Sequence, residues 1–182
     1  MADSPIRTMI RTAEGWLDFQ DYFVRRRHTD EVIELRFDGV EDARITPEVA
    51  QAIESADLVV IAPSNPFVSV GPILAVPEIL GALLKSAAPV LAVSPIVGGT
   101  AVRGPAADMM ASLAHLPGTA AGVATYYSAT YPELIDVLAI DGTDEAESEA
   151  VARTGMRPLV TNTLISEVDA RRRLAEELLA LA

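Results

Sequence analysis

Apolar and polar positions along this chain keep two rhythms. In EVIELRF (31–37), Val32, Glu34 and Arg36 alternate with Ile33, Leu35 and Phe37, and that period of two predicts a strand. In DLVVIA (57–62) the apolar run is continuous, as in a strand covered on both faces. The same reading gives strands at 88–93 (APVLAV), 119–125 (TAAGVAT), 135–141 (IDVLAID) and 157–162 (RPLVTN). Between them the spacing turns helical. A helix is predicted over 46–56, with Thr46 as its cap and Pro47 at the first helical position. Others follow at about 70–87, 105–115, a short one near 131–134, 143–154 and 166–182. The last opens on Ser166, with acids in its first turn. Ahead of them all, apolar residues at 16, 17, 19, 23 and 24 predict an amphipathic helix over 14–28.

Strands alternating with helices predict an α/β fold, a Rossmann-like parallel sheet with helices on both faces and right-handed crossovers. The domain reading is a small N-terminal helical element (1–30) followed by an α/β nucleotide- or substrate-binding domain (31–182). No repeat, low-complexity tract or linker interrupts the chain.

Composition narrows the chemistry. At 182 residues the chain suits one domain with a real core. Half its residues are hydrophobic but only 5% are aromatic, so the core is built from Ala, Val, Leu and Ile. There is no cysteine, which removes disulfides, thiolate catalysis and thiolate zinc sites. The formal net charge of -12 argues against a nucleic-acid partner, which needs clustered Lys and Arg. Five of the acids fall in DGTDEAESEA (141–150). No signal-peptide succession opens the chain, and no apolar run reaches spanning length. The stretch 68–84 comes closest, broken by Pro72, Pro77, Glu78 and Gly81. A cytoplasmic protein without a membrane partner is the expectation.

Parallel strands put their carboxyl ends on one edge, where ligands of open α/β sheets bind. Three unusual loops leave that edge. The first, PSNPFVSVGP (63–72), offers Ser64, Asn65 and Ser69 on a backbone stiffened by Pro63, Pro66 and Pro72. A helix starting near Val70 or Gly71 would point free N–H groups at an anion. A rigid, capped strand-to-helix turn without a ligand is the alternative. The second, SPIVGGTAVRGP (94–105), holds the Gly98-Gly99 pair, which suits an N–H nest for phosphate, and Arg103 to neutralise charge. An ordinary flexible connection is its alternative. The third is TNT (161–163).

Other candidates read as structure. The basic run Arg25 to His28 reads as a solvated helix end, with a phosphate clamp as the alternative. Arg171 to Arg173 reads as solvated surface, His115 as a helix end, and Tyr126, Tyr127 and Tyr131 as packing. Two histidines give little support to a His metal site or a Ser-His-Asp triad. Neither G-x-G-x-x-G nor G-x-x-x-x-G-K-[ST] occurs, which leaves a dinucleotide oxidoreductase the weakest reading.

FQDYFVRRR (19–27), VVIAPSNPFVSVGPILAVPEI (59–79) and VLAVSPIVGGTAVRGPAADMM (90–110), in that order, closely resemble the 2-phospho-L-lactate transferases. That family assembles coenzyme F-420, and the resemblance covers nearly the whole chain. It implies that a guanosine diphosphate ester of lactate or phosphoenolpyruvate passes its phosphorylated acid to the deazaflavin Fo, with GMP leaving and Mg²⁺ assisting. It implies substrate contacts from Ser64, Asn65, Pro66, Ser69, Val70, Gly71 and Pro72 in the first loop. Ser94, Pro95, Ile96, Val97, Gly98, Gly99 and Arg103 follow in the second, and Thr161 in the third.

Two departures stand out. Family members open with a long segment holding a glycine-rich phosphate loop and metal-binding aspartates, which this sequence lacks. The Mg²⁺ ligands are therefore expected outside this chain. Asn162 also stands where the family usually has Asp. A fragment, a truncated enzyme or a reduced paralogue is implied, with a second copy or another polypeptide supplying the missing part. A non-catalytic nucleotide-binding or regulatory module is the alternative function.

Overall fold

The computed structural model describes residues 2–181. In chain order its elements begin with β1 (Arg7–Thr12), β2 (Gly15–Asp18), a π-helical turn (Asp21–Arg25) and β3 (Glu34–Asp38). There follow α1 (Pro47–Glu54), β4 (Val59–Ile61), a second π turn (Pro66–Val70) running into α2 (Gly71–Leu74), and α3 (Pro77–Lys85). Next come β5 (Val90–Val93), β6 (Ile96–Val97), β7 (Thr100–Ala101), α4 (Ala106–Ala114) and α5 (Ala120–Thr130). The chain closes with β8 (Val137–Asp141), a 3₁₀ turn (Gly142–Glu147), α6 (Ser148–Ala152), β9 (Arg157–Thr161) and α7 (Val168–Leu179).

The main sheet is parallel, in the order β4-β5-β8-β9. Strands laid down in one direction, joined by right-handed crossovers, put all their connecting helices on one face. The core divides accordingly. Val90, Ala92, Leu138 and Ile140 pack with Leu83, Met109, Val123 and Val151 from the connections. The alternate residues Leu91, Val93, Val137 and Ala139 pack under Leu174 and Leu178 of α7. Helices stand on both faces, the connecting helices α2 to α6 on one and the closing helix α7 on the other.

The N-terminal region is not the predicted helix. Residues 14–28 begin as a β-hairpin, because Gly15 takes φ 119° and turns β1 back on β2. Only the short stretch 19–25 is helical. The strand read at 31–37 forms only over Glu34–Asp38, as β3, and it pairs antiparallel with β1 and stays outside the parallel sheet. This small sheet shares the main core: Ile10, Tyr22 and Val32 cluster with Phe67 and Val70.

The other correction lies at 119–125, which is helix α5 and not a strand. Thr119 caps it by accepting the Gly122 N–H at 3.1 Å. Its first residues are small and mostly buried, so no amphipathic period betrays it. The short helix expected near 131–134 is a turn, and 70–87 is broken between Leu74 and Pro77. Among the described residues no single helix is long and apolar enough to cross a membrane, and the segments Pro66–Leu74 and Pro77–Lys85 bend by 83°.

Candidate functional site

The carboxyl ends of β4, β5, β8 and β9 meet at one edge, and their loops define the site. In the first, Asn65 is extended (φ -60°, ψ 122°), as a residue before proline tends to be. Its Oδ1 accepts the N–H groups of Phe67 and Val68 at 2.8 and 3.2 Å. Its carbonyl accepts those of Ser69 and Val70, both at 3.1 Å. Pro66 has no N–H. The helical segment therefore starts at Pro66, four residues earlier than read, and Asn65 takes the first amides an anion would use. Asn65 Nδ2 donates to Met109 Sδ of α4 at 3.3 Å, tying this loop to the next crossover. Ser69 is exposed and Ser64 half-buried, which leaves two hydroxyls for a ligand. Pro72 is half-buried, and Val70 and Gly71 are buried. A Cβ on Gly71 would lie 3.1 Å from the Pro66 carbonyl and 3.3 Å from the Phe37 ring, so only glycine packs there comfortably.

In the second loop Ser94 is fully buried, accepting the Ile96 N–H at 3.2 Å and donating to the Ile96 carbonyl at 2.9 Å. Pro95 is buried beside it. β6 and β7 form a minimal hairpin in which Val97 pairs with Thr100. Gly98 and Gly99 turn it with φ of 58° and 73°. Two positive φ values identify a type I′ turn, which explains the glycine pair without a nest. The Gly98 N–H donates to both carboxylate oxygens of Asp144, at 3.0 and 3.1 Å. Gly98, Gly99 and Arg103 are exposed.

The loop after β8 was read only as part of an acidic run, yet it organises its neighbours. Asp141, 6% exposed, accepts the N–H of Thr143 at 3.0 Å and that of Thr163, beyond β9, at 2.9 Å. Burial pushes its carboxyl up, but these bonds and the threonine hydroxyls outweigh burial and hold it below the usual value. Asp141 therefore adds stability above the ordinary Asp range that is lost as pH falls through its lowered value. Asp144 moves the other way. Burial raises it, the Gly98 bond lowers it, and the charges of Glu147 and Asp141 raise it further. Its charged form costs the fold: the stability linked to it is present below the ordinary Asp range and lost as pH rises through its raised value. The signal for both was a carboxylate placed at, or just after, the end of a buried strand.

The third loop is tied to α7. Thr161 Oγ1 is bonded to Glu177 and accepts from Arg173 at 3.3 Å. Arg173 also donates to the Asn162 carbonyl at 2.7 Å, and Arg171 to that of Ile165 at 2.9 Å. Those two arginines are loop anchors, a correction to the solvated-surface reading. Arg173→Ala is expected to cost about 1 kcal/mol, a drop of about 2–4 °C in thermal midpoint. An unchanged midpoint in a melting scan would remove Arg173 as an anchor.

The basic run is largely paired. Arg25 meets Asp21 at 2.8 Å, and Arg26 meets Glu14 at 2.6 Å and Asp30 at 3.3 Å. Its element still borders the second loop, because a Cβ on Gly104 would sit 3.5 Å from the Phe23 ring. Burial, then Asp108 and Asp30, pushes the Tyr22 hydroxyl up to about 12. The tyrosines pack, as read: Tyr127 is buried, and the Tyr126 ring lies 4.6 Å from Phe67 of the first loop. His115 ends α4 in the left-handed conformation.

Among the described residues no group of three or more His, Asp or Glu is placed to hold a metal ion. Two clefts lie elsewhere, one of about 240 Å³ at the amino edge by Pro89 and Asp136, one of about 200 Å³ between Ile6 and Pro72. The second touches the first loop only at Pro72, and Ser64, Ser69, Gly98, Gly99 and Arg103 line neither, so the loops at the open carboxyl edge remain the candidate site.

Residues 1–178 match the family model described as 2-phospho-L-lactate transferase CofD. The chain belongs to that family. This CofD-family chain is 35% identical over 181 residues to a 2-phospho-L-lactate transferase of Methanosarcina barkeri, covering all of this chain and 56% of that protein. It is 39% identical over 166 residues to a phosphoenolpyruvate transferase of Streptomyces griseus, covering 91% of this chain and 51% of the other. It thus spans about half the length of these relatives. A UPF0052-family protein from Bacillus halodurans shares the fold at a TM-score of 0.69 and 16% identity, over 98% of this chain and 59% of that one.

Proposed function

We propose that this chain forms the donor- and acceptor-binding wall of a cytoplasmic transferase of coenzyme F-420 biosynthesis. The ribityl hydroxyl of Fo attacks the phosphorus that carries lactate or enolpyruvate in the guanosine diphosphate ester. A new P–O bond forms, the P–O bond to the GMP phosphate breaks, and GMP leaves with the electron pair. The hydroxyl proton passes to solvent. Such a transfer needs positioning and charge neutralisation more than a covalent nucleophile. Ser64 and Ser69 would donate to the diphosphate, the Gly99 N–H would add a third donor, and Arg103 would neutralise charge.

The observation that carries this reading is the convergence of the loops 63–72 and 94–105 at one sheet edge, in a chain of the CofD family. Mg²⁺ would add charge neutralisation at the diphosphate. The second reading is a non-catalytic nucleotide-binding or regulatory module. A turnover assay with Fo, both guanylated donors and Mg²⁺ separates the two. Phosphorylated Fo derivative plus GMP supports the transferase. GDP binding without product supports the module.

A further inference from the structure

Asp144 makes an expensive contact for a modest structural return. It is 5% exposed, and its described hydrogen bonds are the two to the Gly98 N–H. None of the described ion pairs includes it. The neighbouring charges are of its own sign, Asp141 at the end of β8 and Glu147, which itself accepts the Ala121 N–H at 2.6 Å. Burying a carboxylate beside two others opposes folding. A hydrogen bond to one amide at an exposed hairpin tip does not offset that. Destabilising groups kept at the edge of a site are commonly retained for function.

The geometry says what that function is. In a two-residue turn the flanking pair closes the ladder, here Val97 and Thr100, so the N–H groups of Gly98 and Gly99 lie outside it. Asp144 fixes the first. Holding the 97–98 peptide anchors one side of the turn and narrows the range over which the 98–99 peptide carries the Gly99 N–H. Without it, two adjacent glycines are free to sample other orientations.

We propose that Asp144 is a positioning residue, whose carboxylate fixes the tip of the 96–101 hairpin so that the Gly99 N–H is presented to an anionic ligand. The proposal rests on the guanosine diphosphate reading above. The test uses the wild-type chain, Asp144→Ala and Asp144→Asn. Hydrogen exchange is followed over 94–105, GDP is titrated by calorimetry, and thermal midpoints are recorded.

Asp144→Ala should speed exchange at Gly98 and weaken GDP binding, each by about tenfold, the size expected for one charge-assisted hydrogen bond. Its midpoint should equal or exceed that of the wild type. Asp144→Asn keeps one acceptor oxygen and should restore most of the affinity. Wild-type affinity in Asp144→Ala overturns the proposal. So does a fall in midpoint, or failure to fold, in both variants, because that marks a structural role. If the wild type binds no GDP, the donor reading fails instead, and the exchange data decide whether Asp144 still fixes the tip.

Discussion

Gly122→Ala is expected to destabilise the protein by more than about 3 kcal/mol, lowering its thermal midpoint by about 6–12 °C. A Cβ at this position would lie 2.0 Å from the carbonyl oxygen of Pro117 and 3.2 Å from its carbon. Both are backbone atoms that cannot swing aside, so either the first turn of α5 or the 116–119 segment must move. That turn starts from Thr119, whose hydroxyl accepts the Gly122 N–H. Moving it displaces Val123, Ala124 and Tyr127, all buried in the main core. Overpacking against a fixed backbone is among the larger single-residue effects. A midpoint within about 2 °C of the wild type would mean the turn yields far more easily than its packing implies.

Asn65→Ala is expected to act twice. It removes the acceptor of the Phe67 and Val68 amides, a capping loss of about 1–2 kcal/mol. It also cuts the bond to Met109, so the loop presenting Ser64 and Ser69 loosens from α4. GDP affinity should then fall by about tenfold while the chain stays folded, since one lost anchor is worth roughly 1.4 kcal/mol of binding. Unfolding curves measured beside the titration keep the two losses apart. A variant destabilised as expected but binding like the wild type would reduce Asn65 to a cap.

The residues that made the sheet legible are those whose environment matches their pattern. APVLAV and IDVLAID are continuous apolar runs because both faces are covered, and DLVVIA reads alike although its edge strand leaves Val60 exposed; each holds a strand, at Val90–Val93, Val137–Asp141 and Val59–Ile61. The carboxyl-edge loops were legible for the same reason, since they begin where those runs stop. TAAGVAT was not, because its small, mostly apolar residues carry no helical period and the Thr119 cap decides for helix. The N-terminal hairpin was missed because β2 spans only four residues and its turn depends on one glycine conformation. Within the site, Asn65 and Gly98 were read as offering groups to a ligand, whereas the fold uses the Asn65 side chain and the Gly98 N–H for itself. Asp141 and Asp144 were hidden in an acidic run that resembles solvated surface until Thr163 and Gly98 are seen to donate to them.

Calorimetric titration of GDP into the wild-type chain asks most directly whether the carboxyl-edge loops form a nucleotide-diphosphate site. Saturable heat with one site per chain, weakened in Asn65→Ala, is the predicted result. No heat at millimolar GDP, from a chain shown to be folded, would contradict it.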